Sequence, residues 1–181
     1  TWRTPQFLQT APLQGREKGK ATHLFMQFAR YEACTAEEPL RAELARLQDE
    51  WFLTPRQAEA VDLAHVLRLF ASPLGARILS ARALRREFKF SILTDAADYD
   101  PAAAGEEVLL QGVVDCFWDE PEGLVILDFK TDRVSEGTLP ERAESYRAQL
   151  DAYAAAVREI CGGTVQGSIL YFFQTGTIWK M

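Results

Sequence analysis

The sequence predicts an α/β domain with a mixed central sheet flanked by helices and preceded by an N-terminal helical segment. The first 80 residues carry helical periodicity and helix-start signals, and three strand patterns follow before residue 131. One long helical stretch then separates these strands from two more strands near the C-terminus. A hairpin followed by a helical crossover produces a sheet with both antiparallel and parallel pairs. The length suits a single domain over residues 1–181.

The composition is that of an ordinary globular protein, with 48% hydrophobic and 25% charged residues. The sequence has no apolar run of about 18 residues, so no transmembrane helix is expected. The net charge of −6 argues against a stand-alone, high-affinity nucleic-acid binder. It does not exclude a nuclease, because a catalytic carboxylate cluster is itself acidic and faces phosphates through a metal ion. Since the chain begins at Thr1 and not at a methionine, we expect a segment of a larger protein.

The cysteines indicate core thiols and not a cysteine-based site. Cys34, Cys116 and Cys161 lie far apart in the sequence, and no CxxC pair occurs. This distribution argues against a zinc ribbon, an iron–sulfur cluster and a disulfide framework. We interpret the three side chains as reduced thiols of a cytoplasmic protein.

The N-terminal part predicts a series of helices. An irregular lead-in containing proline and glycine covers residues 1–20, and a helix is expected from about Glu17 to Arg30. The apolar stripe of this helix ends at Phe28, and His23 lies beside the stripe. A second helix is expected from Pro39 to Trp51.

Two further helix starts are marked by a capping hydroxyl followed by proline. Thr54-Pro55 begins a third helix whose apolar residues recur at positions 63, 66, 67 and 70. Ser72-Pro73 begins a short helix that extends through Ser80. We expect His65, within the third helix, to be structural or solvent-facing, because no ligand partner lies near it in the sequence.

Strand patterns replace the helical ones after Arg82. Alternation over 86–92 predicts the first strand, and turn residues over 95–105 predict a loop. Strands are then predicted at 107–118 and 124–130, the second being a continuous apolar run typical of a central strand covered on both faces. The C-terminal elements are a long helix over about 140–160, ended by glycine at 162, and strands at 165–173 and 177–179.

Two carboxylates interrupt the apolar hairpin over Gln111–Thr131. Asp115 lies in its first strand, and Asp128 and Lys130 share one face at the end of its second strand. Two carboxylates and the Phe129 carbonyl would form an oxygen site suited to Mg²⁺ or Mn²⁺, with Lys130 near a scissile phosphate or its attacking water. A buried Asp–Lys ion pair that only stabilises the sheet is the alternative, and spacing alone does not decide between the two.

One face of the long predicted helix carries an amide between two aromatic rings. Tyr146, Gln149 and Tyr153 follow the i, i+3, i+7 spacing that places side chains together. Such a face can donate hydrogen bonds to a DNA strand and stack against it. From spacing alone, aromatic packing onto the sheet is the simpler interpretation.

Four motifs occur in one order: Gly19-x-x-x-His23, Gly112-Val113-Val114-Asp115, Asp128-Phe129-Lys130-Thr131 and Gln149-x-x-x-Tyr153. In this order the chain resembles the RecB-like branch of the PD-(D/E)XK nucleases. It is most similar to the C-terminal nuclease domain of the A subunit of AddAB-type helicase–nucleases. The phrases EEVLLQGVVD, LDFKTDRV and YRAQLDAYAAAV extend the resemblance over nearly the whole chain. Phe129 stands where tyrosine is common in the family, a departure that we expect to be harmless because the ring points away from the site.

The resemblance implies a restriction-endonuclease-like fold and a set of site residues. His23, Asp115 and Asp128 would ligate the metal together with the Phe129 backbone carbonyl, and Lys130 would be the catalytic lysine. The residues implied as supporting the site and contacting DNA are Gln149, Tyr153 and, less directly, Tyr146.

Two of these assignments depend on the resemblance or on its context. A lone histidine beside an apolar stripe is ordinarily structural, and imidazole is an unusual ligand for Mg²⁺ although compatible with Mn²⁺. The ligand role of His23 therefore rests on the matching motif. Glu87 stands where related nucleases often carry an acid, and we interpret it as a supporting or structural residue.

The resemblance also implies a function: divalent-metal-dependent exonuclease activity, mainly on single-stranded DNA, in helicase-coupled double-strand break processing and recombinational repair. The implied cofactor is Mg²⁺, with Mn²⁺ as the alternative. An iron–sulfur cluster is not expected without a cysteine quartet, and ATP would act only through a helicase part, since the sequence has no GxxxxGK[ST] loop. The implied partners are DNA, the rest of a helicase chain and an AddB-like second subunit, in the bacterial cytoplasm and without a membrane. The alternatives are an inactive DNA-binding or scaffold module of the same fold and a free-standing RecB-like exonuclease.

Overall fold

A computed structural model describes residues 15–98 and 101–181 of the chain. These fall into two compact units, one ending at Ala76 and one running from Arg77 to Met181. A single domain over 1–181 therefore stays a prediction. None of the helices in the described residues is long and apolar enough to cross a membrane.

The first unit is helical. Its elements are α1 (Gly15–Phe28), a 3₁₀ turn (Tyr31–Thr35), α2 (Glu37–Asp49), α3 (Pro55–Ala60), α4 (Leu63–Phe70) and the start of α5 (Pro73–Ser80). Phe25, Leu40, Leu47 and Val66 are fully shielded from solvent, so the apolar stripes of these helices form a common core. The predicted lead-in is wrong for residues 15–20, which already belong to α1, and its residues 1–14 lie outside the described part.

The helix that starts at Thr54 is interrupted where a single helix was predicted. Thr54 forms the expected cap, because its hydroxyl accepts the Gln57 N–H and the Gln57 side chain accepts the Thr54 N–H. Val61 is extended, with φ −72° and ψ 122°, and ends α3. The Asp62 side chain then accepts the His65 N–H at 3.2 Å and starts α4. The aspartate provides a second N-cap inside an otherwise continuous apolar periodicity.

The second unit contains a five-stranded sheet with strands in sequential order. The strands are β1 (Arg82–Asp95), β2 (Glu107–Glu120), β3 (Gly123–Lys130), β4 (Val165–Phe172) and β5 (Thr177–Lys180). The β1–β2, β2–β3 and β4–β5 pairs are antiparallel, and the β3–β4 pair is parallel. The predicted mixed sheet is therefore confirmed. The six residues 124–129 of β3 are all buried, as the apolar run predicted for a central strand.

The crossover from β3 to β4 contains two helices where one long helix was predicted. They are α6 (Leu139–Glu144) and α7 (Arg147–Cys161). The Ser145 hydroxyl donates to the Arg142 carbonyl at 2.6 Å, a local bond that competes with helix continuation. α7 ends as expected at a glycine with positive φ, since Gly162 has φ 72°.

The main core of the second unit lies between α7 and one face of the sheet. Leu150, Ala156 and Val157 of α7 pack with residues from several strands, among them Ile126 and Phe172. All of these side chains are almost completely buried. Since β2 and β3 form the centre of this face, the core fixes the ends of both strands, where their carboxylates lie.

Candidate active site

Asp115 and Asp128 come together where the pairing of β2 with β3 ends. The last paired residues are Cys116 and Leu127, so the two aspartates are the next residues on each strand. The Asp115 carboxylate accepts a hydrogen bond from the Phe129 backbone N–H at 2.8 Å. A side chain thus continues the ladder by one step and fixes the Asp115 oxygens beside the end of β3.

Lys130 forms a close ion pair with Asp128. Lys130 Nζ lies 2.6 Å from Asp128 Oδ2, and the two side chains are only 11% and 4% exposed. This confirms that residues 128 and 130 face the same side of β3, as strand alternation predicts. The Phe129 ring points the other way, is buried, and packs against Phe173 with ring centroids 5.4 Å apart. An ion pair of this kind also satisfies a purely structural role, so the geometry accommodates both interpretations.

A chain of hydrogen bonds connects Lys130 to α7. Lys130 Nζ donates to Gln149 Oε1 at 3.0 Å, and Gln149 Nε2 donates to the Tyr153 hydroxyl at 2.8 Å. The i, i+4 spacing of Gln149 and Tyr153 on α7 makes the second bond possible. The amide therefore orients the lysine from one side and the tyrosine from the other.

Tyr146 contacts Lys130 although it lies outside the helix interior. It is the N-cap residue of α7, with φ −96° and ψ −3°. The Tyr146 ring centroid lies 3.7 Å from Lys130 Nζ, a cation–π distance. Its hydroxyl donates a short hydrogen bond to Asp132. Burial and then this bond raise the pKa of Tyr146 to about 12, so the hydroxyl keeps its proton as a donor.

Tyr153 lies between the carboxylates and the core. Burial first, and then the charges of Asp128 and Asp115, raise its pKa to about 12. Its ring packs edge-on against Phe90 of β1, with centroids 5.9 Å apart. Gly112 leaves the space for this contact, because a Cβ there would lie 2.7 Å from the Phe90 ring and 3.3 Å from the Tyr153 ring.

Replacing Gly112 with alanine should therefore lower the free energy of unfolding by about 1–3 kcal/mol, the usual cost of overpacking. Urea unfolding followed by circular dichroism measures this effect. Gly137→Ala is the matched control, since a Cβ at Gly137 meets nothing within 4 Å. Equal stability of the Gly112 and Gly137 variants would contradict the packing argument.

Glu87 lies directly across from Asp115. The flanking pairs Arg86–Cys116 and Phe88–Val114 place it opposite that residue in the β1–β2 register. Glu87 has φ 49°, a left-handed conformation that is uncommon for a residue with a side chain. Its charge also acts to raise the Tyr153 pKa. A third carboxylate therefore faces the same tyrosine from β1, in agreement with the supporting role expected for Glu87.

His23 lies in α1, in the first unit. Its Nδ1 is 3.1 Å from the Gly19 carbonyl oxygen, and this i, i+4 contact gives the Gly19-x-x-x-His23 spacing a physical reason. A proton on Nδ1 would donate to that carbonyl, the arrangement that fixes ring orientation in metal-binding histidines. The role of His23 as a ligand stays a prediction.

The carboxylate pair fits a divalent cation as part of a ligand set. Asp115 and Asp128 offer the oxygen donors that Mg²⁺ and Mn²⁺ prefer. Among the described residues of the second unit, no third His, Cys, Asp or Glu joins them in a metal-holding group. Further ligands must therefore come from elsewhere, and the Phe129 carbonyl and His23 stay the predicted ones.

Comparison with known proteins settles the family. The sequence profile of the PD-(D/E)XK nuclease superfamily matches residues 3–178. The chain belongs to this superfamily. Its mixed sheet and crossover helices are accordingly the restriction-endonuclease-like α/β fold that the motifs implied.

The curated relatives are much longer proteins, all of them A subunits of an ATP-dependent helicase/nuclease. The chain is 37% identical over 177 residues to the A subunit of Desulforudis audaxviator, covering 96% of the chain and 14% of that relative. The corresponding protein of Acetivibrio thermocellus is 37% identical over 180 residues, with the same two coverages. That of Bacillus velezensis is 33% identical over 186 residues, covering 98% of the chain and 15% of the relative. The chain thus spans about one-seventh of these relatives, and the resemblance to helicase–nuclease A subunits is confirmed.

Two residues near the site, Asp132 and Arg142, are not indicated by any sequence motif. Asp132 accepts hydrogen bonds from Tyr146 and from Arg142 Nε, the latter at 3.1 Å. Burial acts to raise the pKa of Asp132, but these two donors hold it below its usual range. The available signal was a carboxylate two residues after Lys130, just past the end of a buried strand. Its partners lie 10 and 14 residues further on, beyond the reach of a local pattern.

Proposed function

We propose that this chain is a divalent-metal-dependent deoxyribonuclease domain that hydrolyses phosphodiester bonds, mainly in single-stranded DNA. The convergence of Asp115, Asp128 and Lys130 at the ends of β2 and β3, in a PD-(D/E)XK chain, is the observation that carries the proposal. The curated relatives are named as A subunits of an ATP-dependent helicase/nuclease, which supports action beside a helicase part and a second, AddB-like subunit in bacterial break repair.

The site residues divide the chemistry among them. Asp115, Asp128, the Phe129 carbonyl and His23 would hold Mg²⁺, or Mn²⁺ in its place. A divalent cation bound there supplies the Lewis-acid chemistry that phosphodiester hydrolysis needs. Lys130 directs its ammonium toward the scissile phosphate and stabilises the negative charge that develops there. Gln149 and Tyr153 keep Lys130 oriented and limit the access of water from the core side.

The basic residues of β1 support DNA as the substrate. Four of the eight residues from Arg82 to Lys89 are basic, although the chain as a whole carries a net charge of −6. Arg82, Arg85 and Lys89 are exposed, and no carboxylate among the described residues lies within 4.0 Å of their cationic groups. Arg85 stacks over the ring of Phe117, which lies two residues from Asp115 on β2. Unpaired cations on the strand beside the carboxylates are suited to phosphates.

A triple variant, Arg82→Gln, Arg85→Gln and Lys89→Gln, should weaken DNA binding and reduce its salt dependence. The slope of log K against log salt should fall by roughly one for each phosphate that is no longer neutralised. Fluorescence anisotropy with a labelled single strand in EDTA measures this without cleavage. Arg41→Gln is the control, because Arg41 is already paired with Glu37 at 2.6 Å. An unchanged slope in the triple variant would remove β1 from the DNA path.

Cleavage of labelled DNA by the 181-residue chain tests the function directly. Single-stranded and duplex substrates are incubated with Mg²⁺, with Mn²⁺ and with EDTA. We expect cation-dependent cleavage with preference for the single strand. Cation binding measured by calorimetry without cleavage of either substrate would instead support an inactive module of the same fold. Absence of both binding and cleavage would contradict the proposed function.

A further inference from the structure

We propose that Tyr146, Asp132 and Arg142 form a positioning clamp that holds the Lys130 ammonium in place for reaction. The catalytic part of this inference rests on the proposed nuclease function, whereas the contacts themselves do not. None of the three residues is itself placed at the reacting atoms. Their effect is exerted through Lys130.

The environment of the ammonium uses all of its bonding capacity. A lysine ammonium has three N–H donors. Nζ of Lys130 lies 2.6 Å from Asp128 Oδ2 and 3.0 Å from Gln149 Oε1, and the Tyr146 ring centroid lies 3.7 Å away. The aromatic ring therefore serves as the third partner of an ammonium whose side chain is 11% exposed.

The Tyr146 ring is itself fixed by two contacts. Its hydroxyl donates to Asp132 Oδ2, and the same oxygen accepts the Arg142 Nε–H at 3.1 Å. The Arg142 guanidinium also lies over the Tyr146 ring, with Cζ 5.0 Å from the centroid. Asp132 follows β3 directly, and Arg142 lies on α6, so the clamp joins the end of the catalytic strand to both crossover helices.

The break between α6 and α7 gives the clamp its geometry. Tyr146 occupies the N-cap position of α7, so its direction is set by the break and not by the interior of a helix. The Ser145–Arg142 hydrogen bond stabilises the break. The interruption that departs from the predicted long helix thus places the ring against Lys130.

The clamp matters most when the Asp128 carboxylate is engaged in cation binding. Lys130 then keeps its contacts with Gln149 and Tyr146 and remains oriented toward the phosphate. Without the ring, a long and flexible side chain would rest on a single amide hydrogen bond. Removal of a cation–π interaction from a shielded site corresponds to about a tenfold decrease in rate.

Proton NMR of the cation-free chain tests the clamp independently of activity. The Lys130 Hε resonances, assigned by their loss in Lys130→Gln, should be shifted upfield by the Tyr146 ring current. The shift should disappear in Tyr146→Leu, shrink in Asp132→Asn, and persist in large part in Tyr146→Phe, which keeps the ring. Glu144→Gln is the matched control, because it removes a carboxylate that pairs with Arg147 on the surface. Circular dichroism confirms that each variant is folded.

Kinetics on single-stranded DNA complete the test. Tyr146→Leu should lower kcat about tenfold with little change in KM, and Tyr146→Phe should recover most of the loss. An unshifted Lys130 resonance in the wild type, or a shift that survives in Tyr146→Leu, would overturn the clamp. Normal kcat in Tyr146→Leu would overturn its positioning role. A normal ring-current shift in a chain that cleaves no DNA with either cation would refute the nuclease function, leaving the clamp a structural contact only.

Discussion

Replacing Asp128 with asparagine is expected to abolish both cation binding and DNA cleavage. Asp128 is 3% exposed, and its carboxylate is the charged oxygen donor next to Lys130. An amide keeps the shape of the side chain but removes the charge that attracts a divalent cation. Because loss of residues that only orient ligands costs about 10–100-fold in metal affinity, loss of a ligand itself should cost roughly 100-fold or more.

Calorimetric titration with Mn²⁺ and Mg²⁺, followed by cleavage assays, measures this effect. Asp119→Asn is the matched control, since Asp119 is an exposed aspartate on β2, the strand that carries Asp115. If Asp128 and Lys130 form only a structural ion pair, Asp128→Asn will alter the free energy of unfolding and leave cation affinity unchanged. Equal cation affinity of wild type and variant would therefore contradict the metal site.

Replacing Lys130 with glutamine is expected to separate catalysis from cation binding. Cleavage should fall about 10²–10³-fold, the usual loss when a donor aimed at developing charge is removed. Cation affinity should be retained or increased, because the ammonium lies 2.6 Å from Asp128 Oδ2 and competes with a cation for that oxygen. The two variants should thus have opposite effects on cation affinity and the same effect on cleavage.

The same calorimetry and cleavage assays measure the Lys130 variant. Lys180→Gln, which changes an exposed lysine on β5, controls for the loss of one positive charge from the sheet. A parallel loss of cation affinity in Lys130→Gln would mean that the lysine serves to fold the carboxylate pair. Full cleavage activity in Lys130→Gln would remove Lys130 from the chemistry.

The elements of the sheet were predictable because their patterns are local. Alternation and apolar runs identified all five strands, and the i, i+2 relation placed Asp128 and Lys130 on one face. Helix starts at Thr54 and Ser72 were equally local, since each depends on a hydroxyl and its nearest neighbours. The two interrupted helices were missed because one competing hydrogen bond is weak evidence against a long apolar periodicity.

The contacts that complete the site depend on the path of the chain between distant residues. Asp115 reaches the Phe129 N–H across a strand pair, and Asp132 reaches Tyr146 across the turn that leads into α6. The sequence by itself determined the fold class, the strand faces and the residue types of the carboxylate and lysine set, because side-chain periodicity and motif order require only neighbours along the chain. Only the tertiary structure decided that Tyr146 and Asp132 hold Lys130, because that contact exists only where β3, α6 and α7 meet in space.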